Sequence, residues 1–277
     1  MGDGGLAVVA RALSVARGAM MRHHVHRAIS AAVTASLVSL AGRAEAYRPF
    51  DGTDAGVAEY KVFELELGPI NYYREGRQNY LIAPELVLNF GLFERAELVI
   101  DADQFVALGA LDPDVSRVSL FGDDVLLKYV IREGILQDKT GVSIAAEGGV
   151  LTPEVNGYPA FGGSLDVITS YEWSWGAVHY NEWFEFTRNH HADLYSGVIL
   201  EGPHDWTVRP VAELFYDKDF AGDSTESALV GAIWTVDDSL AFDVGVRGAR
   251  IGGDDAVEAR LGLTWAIPLG RQGEKPE

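Results

Sequence analysis

From about residue 60 to residue 268, polar and apolar side chains alternate one for one, broken only by short turn-like clusters. Over 62–68, Phe63, Leu65 and Leu67 fall on one face, and Glu64 and Glu66 on the other. A helix would bring Glu64 and Leu67 to the same side; a strand, whose side chains point to opposite faces in turn, separates them. The same sorting recurs along the chain. Glu85 and Asn89 oppose Ile82, Pro84, Leu86, Leu88 and Phe90, and Glu97, Val99, Asp101 and Asp103 oppose Leu98, Ile100 and Ala102. Asp124, Leu126, Lys128 and Arg132 oppose Val125, Leu127, Tyr129 and Ile131, and Glu147 opposes Ile144 and Ala146. Further on, Asp166, His179, Asn181, Glu201, Arg209, Glu213, Asp243, Arg247, Glu258 and Arg260 each sit opposite a run of apolar neighbours. Glu182 is an intruder on an apolar face, and 224–235 is apolar on both faces, so its orientation stays open.

Turn signals separate these runs: Phe90-Gly91, Ser174-Trp175-Gly176, Gly202-Pro203-His204-Asp205, Val236-Asp237-Asp238-Ser239 and Gly252-Gly253-Asp254-Asp255. The pattern predicts an all-β, antiparallel barrel of about twelve strands over 60–268, without a compositional break that would mark a second domain. Residues 47–59 precede it as a short N-terminal periplasmic segment, and 269–277 form a polar C-terminal tail.

Residues 1–46 read as an upstream extension plus signal peptide. Met21-Arg22-His23-His24-Val25-His26-Arg27 is a basic lead, Ala28 to Leu40 an apolar run, and Ala44-Glu45-Ala46 a small-x-small cleavage site. Met20 or Met21 makes a better start than Met1. Cleavage after Ala46 removes Arg11, Arg17, Arg22, Arg27 and Arg43 against only Asp3 and Glu45, so the mature chain is more acidic than the formal −19 of the whole. That charge argues against nucleic acid as a partner. The absence of cysteine removes disulfides, thiolate metal sites and cysteine nucleophiles. With 48% hydrophobic residues the chain has the means to fold.

Alternation alone leaves open which face meets water. A soluble barrel hides its apolar face; a membrane barrel turns it to lipid and keeps the lumen polar. The leader, the charge in strand after strand, and the clustering of Trp173, Trp175, Trp206, Trp234 and Trp265 near one set of strand ends favour the membrane version. The expected location is the bacterial outer membrane, among lipids and lipopolysaccharide.

Several segments, taken in order, carry a resemblance. They are Tyr47 to Glu59 running into Phe63-Glu64-Leu65-Glu66-Leu67-Gly68, then Leu88 to Leu98, Gly122-Asp123-Asp124-Val125-Leu126-Leu127-Lys128-Tyr129, Ala212-Glu213-Leu214-Phe215, and Phe242 to Arg247. Together they resemble the outer-membrane channel family named for the MetA pathway of phenol degradation, a group of twelve-stranded bacterial barrels. The chain departs from it at Tyr60-Lys61, where the family has Pro-Gly or Lys-Gly, and in lacking a terminal aromatic residue. The resemblance implies uptake of aromatic or other hydrophobic small molecules, with the barrel-insertion machinery as a folding partner.

For a channel, the functional residues are those that line the lumen. The acidic wall comprises Glu64, Glu66, Glu85, Asp101, Asp103, Asp124, Glu147, Asp166, Glu213, Asp243 and Glu258, faced by Lys128, Arg132, Arg209, Arg247 and Arg260. Confined carboxylates concentrate cations and repel anions. Opposed charges either leave a narrow aqueous passage for passive transport or pair and plug it. No cofactor or metal is expected. His190-His191 with Asp193 reads as a solvated loop, since adjacent imidazoles on a strand diverge. The alternatives are a barrel hydrolase built on His179 with Asn181, against which no serine is marked, and a soluble periplasmic barrel that binds an apolar ligand.

Overall fold

The computed structural model describes residues 48–109 and 116–270. The predicted leader, its cleavage point and the tail from residue 271 lie outside the described residues. Thirteen strands follow in order: Val62–Gly68 (β1), Asn71–Glu75 (β2), Gln78–Phe93 (β3), Ala96–Leu108 (β4), Val118–Arg132 (β5), Ser143–Leu151 (β6), Gly162–Trp173 (β7), Gly176–Phe186 (β8), Ala192–Glu201 (β9), Val208–Asp219 (β10), Ser224–Asp237 (β11), Leu240–Ile251 (β12) and Asp254–Pro268 (β13). From β2 onward each pairs antiparallel with the next, and β13 returns to β1 and β2, so the sheet closes. β1 and β2 are two halves of one stave, because both pair with β3 on one side and β13 on the other. Pro69, which has no N–H for the ladder, lies in the break between them. The barrel thus has the twelve staves that the alternation predicts, the first of them broken.

Burial runs opposite to that of a soluble protein. Glu64, Lys128, Glu213 and Glu258 are each 1% exposed, whereas Leu127, Val230, Val244 and Leu261 are 50–65% exposed. Charged side chains therefore fill the barrel and aliphatic ones coat it, the arrangement that lipid requires. Trp175, Trp206, Trp234 and Trp265 are exposed near the end where β1 starts and β13 finishes, and Phe161, Phe184, Phe186 and Phe220 near the opposite, distal end. These are the two interfacial girdles of a membrane barrel. Trp183 points inward and stacks on Tyr195 at 4.2 Å. A soluble barrel with an apolar interior is excluded by this inversion.

Two register shifts change which residues face inward. The ladder between β3 and β4 shifts between Ile82 and Glu85, and that between β4 and β5 shifts opposite Gly122, which has φ +63°. Distal to the shifts, Tyr80, Ile82, Ser119 and Phe121 face the lumen; beyond them the parity changes and Glu85, Asp124 and Lys128 do. Ile82 is therefore 6% exposed on the inner face, which corrects its placement with Leu86 and Leu88. A third shift, between Val130 and Arg132, leaves Arg132 exposed at the rim of β5 instead of lining the lumen.

Both segments that alternation left unexplained are now accounted for. β11 turns Ser227, Leu229 and Ile233 inward, and Ile233 packs with Val211, Ala241 and Phe50. Its inner face is apolar because the N-terminal segment covers it. Glu182 does lie on the outer face, where the Ser196 hydroxyl donates to it at 2.8 Å and the Tyr180 hydroxyl also donates. Two neutral donors thus satisfy a carboxylate that lipid could not.

Val244 tests the inversion. Val244→Arg puts a cation on the middle of the outer wall of β12 and is expected to lower folding stability in lipid vesicles by about 2–4 kcal/mol. A denaturant titration showing no loss would mean that this face meets water.

Candidate functional site

The sequence places residues 47–59 ahead of the barrel. From Arg48 onward the structure places this segment inside it, joined to the inner wall by a series of hydrogen bonds. Asp51 N–H and Gly52 N–H donate to the two oxygens of Glu213 at 2.9 and 2.8 Å. Asn181 answers Thr53 as a second strand would: its Oδ1 accepts from Thr53 N–H at 2.9 Å and its Nδ2 donates to Thr53 O at 2.8 Å. Ala55 N–H donates to Ser170 Oγ at 2.9 Å, Gln137 Nε2 donates to Ala55 O at 3.0 Å, and Ala58 N–H donates to Glu97 Oε2 at 2.5 Å. A segment without a β-ladder of its own satisfies its buried backbone on side chains of β4, β7, β8 and β10. At Gly91 the approach is so close that a Cβ would lie 1.9 Å from Glu59 O; only glycine fits.

Charge holds the same segment. Arg260 donates to Pro49 O at 2.6 Å and to Asp51 Oδ1 at 2.8 Å, while also meeting Glu258 at 3.0 Å. Arg247 bridges Glu258 at 2.8 Å and lies 3.7 Å from Asp51. Burial alone would push the Asp51 carboxyl up, but the Arg260 and Arg247 guanidiniums outweigh it and hold it below its ordinary value. Lys128 donates to Thr53 Oγ1 at 3.0 Å and pairs with Glu97 at 3.5 Å. Arg48 bridges Glu85 and lies 3.6 Å from Asp243. In ion pairs this deeply buried, removing one partner strands the other charge, at about 3–5 kcal/mol.

Ser170, His179 and Glu201 form a chain that looks catalytic at first sight. Ser170 Oγ lies 2.8 Å from His179 Nδ1, and His179 Nε2 lies 3.1 Å from Glu201, which Arg209 also engages at 2.7 Å. However, Ser170 is fully buried and its oxygen already accepts the Ala55 N–H. No carbonyl could approach it, so the trio serves to hold the segment. His190 and His191 diverge: His190 stacks on Phe186 and His191 lies 3.1 Å from Asp219.

Two cavities among the described residues open onto the inner wall. Against the segment is a chamber of about 160 Å³ lined by Glu66, Glu85, Asp101, Asp124, Glu147, Asp166 and Glu185, with Arg48 and Lys128 as the cations. Toward the distal end lies a vestibule of about 540 Å³ lined by Tyr73, Tyr80, Phe105, Phe121, Arg117 and Asn156. Its rings contact one another edge-on, Tyr80 to Phe105 at 6.3 Å and Phe105 to Phe121 at 5.1 Å.

The predicted wall residues thus fall into groups. Glu213, Asp243, Arg247, Glu258 and Arg260 gather around the N-terminal segment, as does Lys128, which also reaches the chamber. Glu66, Glu85, Asp101, Asp124, Glu147 and Asp166 line the chamber. Glu64 is buried on the inner face, Asp103 lies two residues from Asp101 on that face, and Arg209 belongs to the Glu201 cluster. Sequence reading missed Glu97, Ser170 and Glu201 as site residues although the alternation places them on the inner face. It also missed Arg48, Asp51 and the aromatic vestibule.

No family model and no curated protein matches the chain. Solved structures do. The COG4313 outer membrane channel from Pseudomonas putida F1 aligns over 79% of this chain and 100% of its own, with a TM-score of 0.52 at 11% identity. The KdgM porin aligns over 74% and 99%, with a TM-score of 0.48 at 11% identity. The CymD monoaromatic hydrocarbon channel aligns over 78% and 90%, with a TM-score of 0.43 at 9% identity.

Loosening of the segment is measurable because the chain has no cysteine of its own. In Thr53→Cys protein, adding Glu213→Ala removes hydrogen bonds to a charged acceptor, each worth about 1.5–3 kcal/mol, and is expected to speed maleimide labelling by roughly tenfold or more. An unchanged rate would mean that Glu213 does not hold the segment. The closed barrel, its inverted burial and the alignment with the COG4313 structure give this chain the fold of an outer-membrane β-barrel.

Proposed function

We propose that the protein is a channel of the bacterial outer membrane through which small molecules pass passively along a narrow, charged lumen, and that it belongs with the family named for the MetA pathway of phenol degradation. The observation that carries this reading is the inverted wall with a carboxylate-lined chamber in its interior. The N-terminal segment narrows the lumen, which favours small solutes and low conductance over the free flow of a wide porin. The surplus of carboxylates in the chamber favours cations over anions among permeating ions. The aromatic vestibule gives a hydrophobic solute somewhere to leave water before it meets charge. Lipids, lipopolysaccharide and the barrel-insertion machinery are the partners this reading implies.

Planar-bilayer recording tests it. The mature chain is expected to give small, cation-preferring current steps, and deletion of residues 48–59 to give larger ones. A folded, inserted protein with no steps would contradict the channel reading; deletion without effect would contradict the role of the segment. The hydrolase reading lacks an accessible serine beside His179, and His179→Ala is expected to leave any ester hydrolysis in the preparation unchanged.

A further inference from the structure

The vestibule and the chamber adjoin along three strands. On β4 the inward residues run Asp101, Asp103, Phe105, so the change from carboxylate to ring takes one step along the strand. On β3 and β5 the register shifts make the same exchange, from Glu85 through the inward Ile82 to Tyr80 and from Asp124 to Phe121. An aromatic surface therefore leads directly into a surplus of carboxyl groups.

That surplus is not neutralised from within. The chamber's two cations already have carboxylate partners, Arg48 with Glu85 and Lys128 with Glu97, and Asp124 is taken by Arg188. Among the described residues, Asp101, Asp103, Glu147 and Glu185 have no ion-pair partner, and Asp101 faces other carboxylates, including Glu147 and Asp103. Asp166 supplies an independent sign of a missing partner. It is 3% exposed and lines the chamber; its Oδ1 accepts the Glu182 N–H at 3.1 Å, and its Oδ2 is buried without a well-formed hydrogen bond although the Trp183 indole lies close to the carboxylate, while Asp101 Oδ1 is likewise buried without one. A buried carboxyl oxygen left this way is costly unless a donor arrives.

We propose that vestibule and chamber together form one binding site for a small organic ammonium ion with an aromatic or other apolar body. The body lies among Tyr80, Phe105 and Phe121, and the ammonium group points toward Asp101 and the open oxygen of Asp166. Ring faces attract a cation and carboxylates attract it further, so both halves of the site favour the same ligand. A neutral compound of the same shape gains only from the rings, and an anion is repelled by the chamber. The inference rests on the channel reading for its meaning as solute recognition, but binding can be measured apart from conduction.

The test is fluorine NMR titration of the mature protein in non-ionic detergent with three probes of matched shape: 2-(4-fluorophenyl)ethylammonium, 2-(4-fluorophenyl)ethanol and 3-(4-fluorophenyl)propionate. The ammonium is expected to bind about tenfold or more tightly than the alcohol, with the carboxylate weakest. Phe105→Leu, which keeps an apolar side chain and removes the ring face, and Asp101→Asn, which keeps the shape and removes the carboxylate, are each expected to weaken ammonium binding by about fivefold. Equal binding of all three probes would overturn the proposal, as would two folded variants that bind the ammonium like the unaltered chain. Bilayer recordings on the same preparation separate the two claims: absent current with selective binding refutes the channel alone, and current without selective binding refutes this site alone.

Discussion

A carboxylate held inside a closed barrel must find water, a cation or a hydrogen-bond donor, and that requirement organises the interior of this protein. Lipid outside forces aliphatic side chains onto the outer face, so the other half of every strand is left to polar groups. With Glu64, Glu66, Glu97, Glu213 and Glu258 all nearly inaccessible, solvent is a minor partner. The N-terminal segment supplies the donors. Its free N–H groups at Asp51, Gly52 and Ala58 are given to wall carboxylates, while Arg260, Arg247 and Lys128 neutralise what remains. Wall and segment each satisfy what the other leaves open, so neither the charges nor the irregular backbone would be stable there alone.

The same accounting divides the interior along its length. Near the segment, carboxylates are matched by donors and guanidiniums. In the chamber they are in excess. At the distal end the register shifts replace them with rings. β-Bulges beside functional surfaces commonly serve to re-aim side chains, and here they decide where the lumen changes from charged to aromatic. A passage graded in this way treats a solute's apolar body and its charge in separate places.

Much of this was legible in the residues. Period-two alternation from Phe63 to Ile267 identifies strands, their number and, through Trp175, Trp206, Trp234 and Trp265, the girdle at one end. What escaped has physical causes. Alternation does not show β2 as a separate element because it is only five residues long and the break at Pro69 reverses parity, from Glu64 and Glu66 inward on β1 to Asn71 and Tyr73 inward on β2. Alternation puts Ile82 on the wrong face and Arg132 in the lumen because a one-residue shift reverses parity, and parity is all that alternation records. The apolar inner face of β11 made no sense without Phe50 against it, and nothing in Arg48 to Glu59 signals that it packs inside a barrel. Many of its contacts are with residues more than a hundred positions away, such as Glu213 and Asn181. Those long-range partners also explain why His179 and Ser170 look like reactive groups in isolation.

Residues 51–58 are fixed to the inner wall largely through their own backbone amides. Hydrogen exchange of the protein in lipid, read residue by residue, addresses this directly. The amides of Asp51, Gly52, Thr53, Ala55 and Ala58 are expected to exchange as slowly as those of neighbouring strands, with Gly56, whose N–H meets only the adjacent Asp54 carboxylate, exchanging faster. Exchange of all six at the rate of an unstructured chain would show that the segment does not occupy the lumen as described.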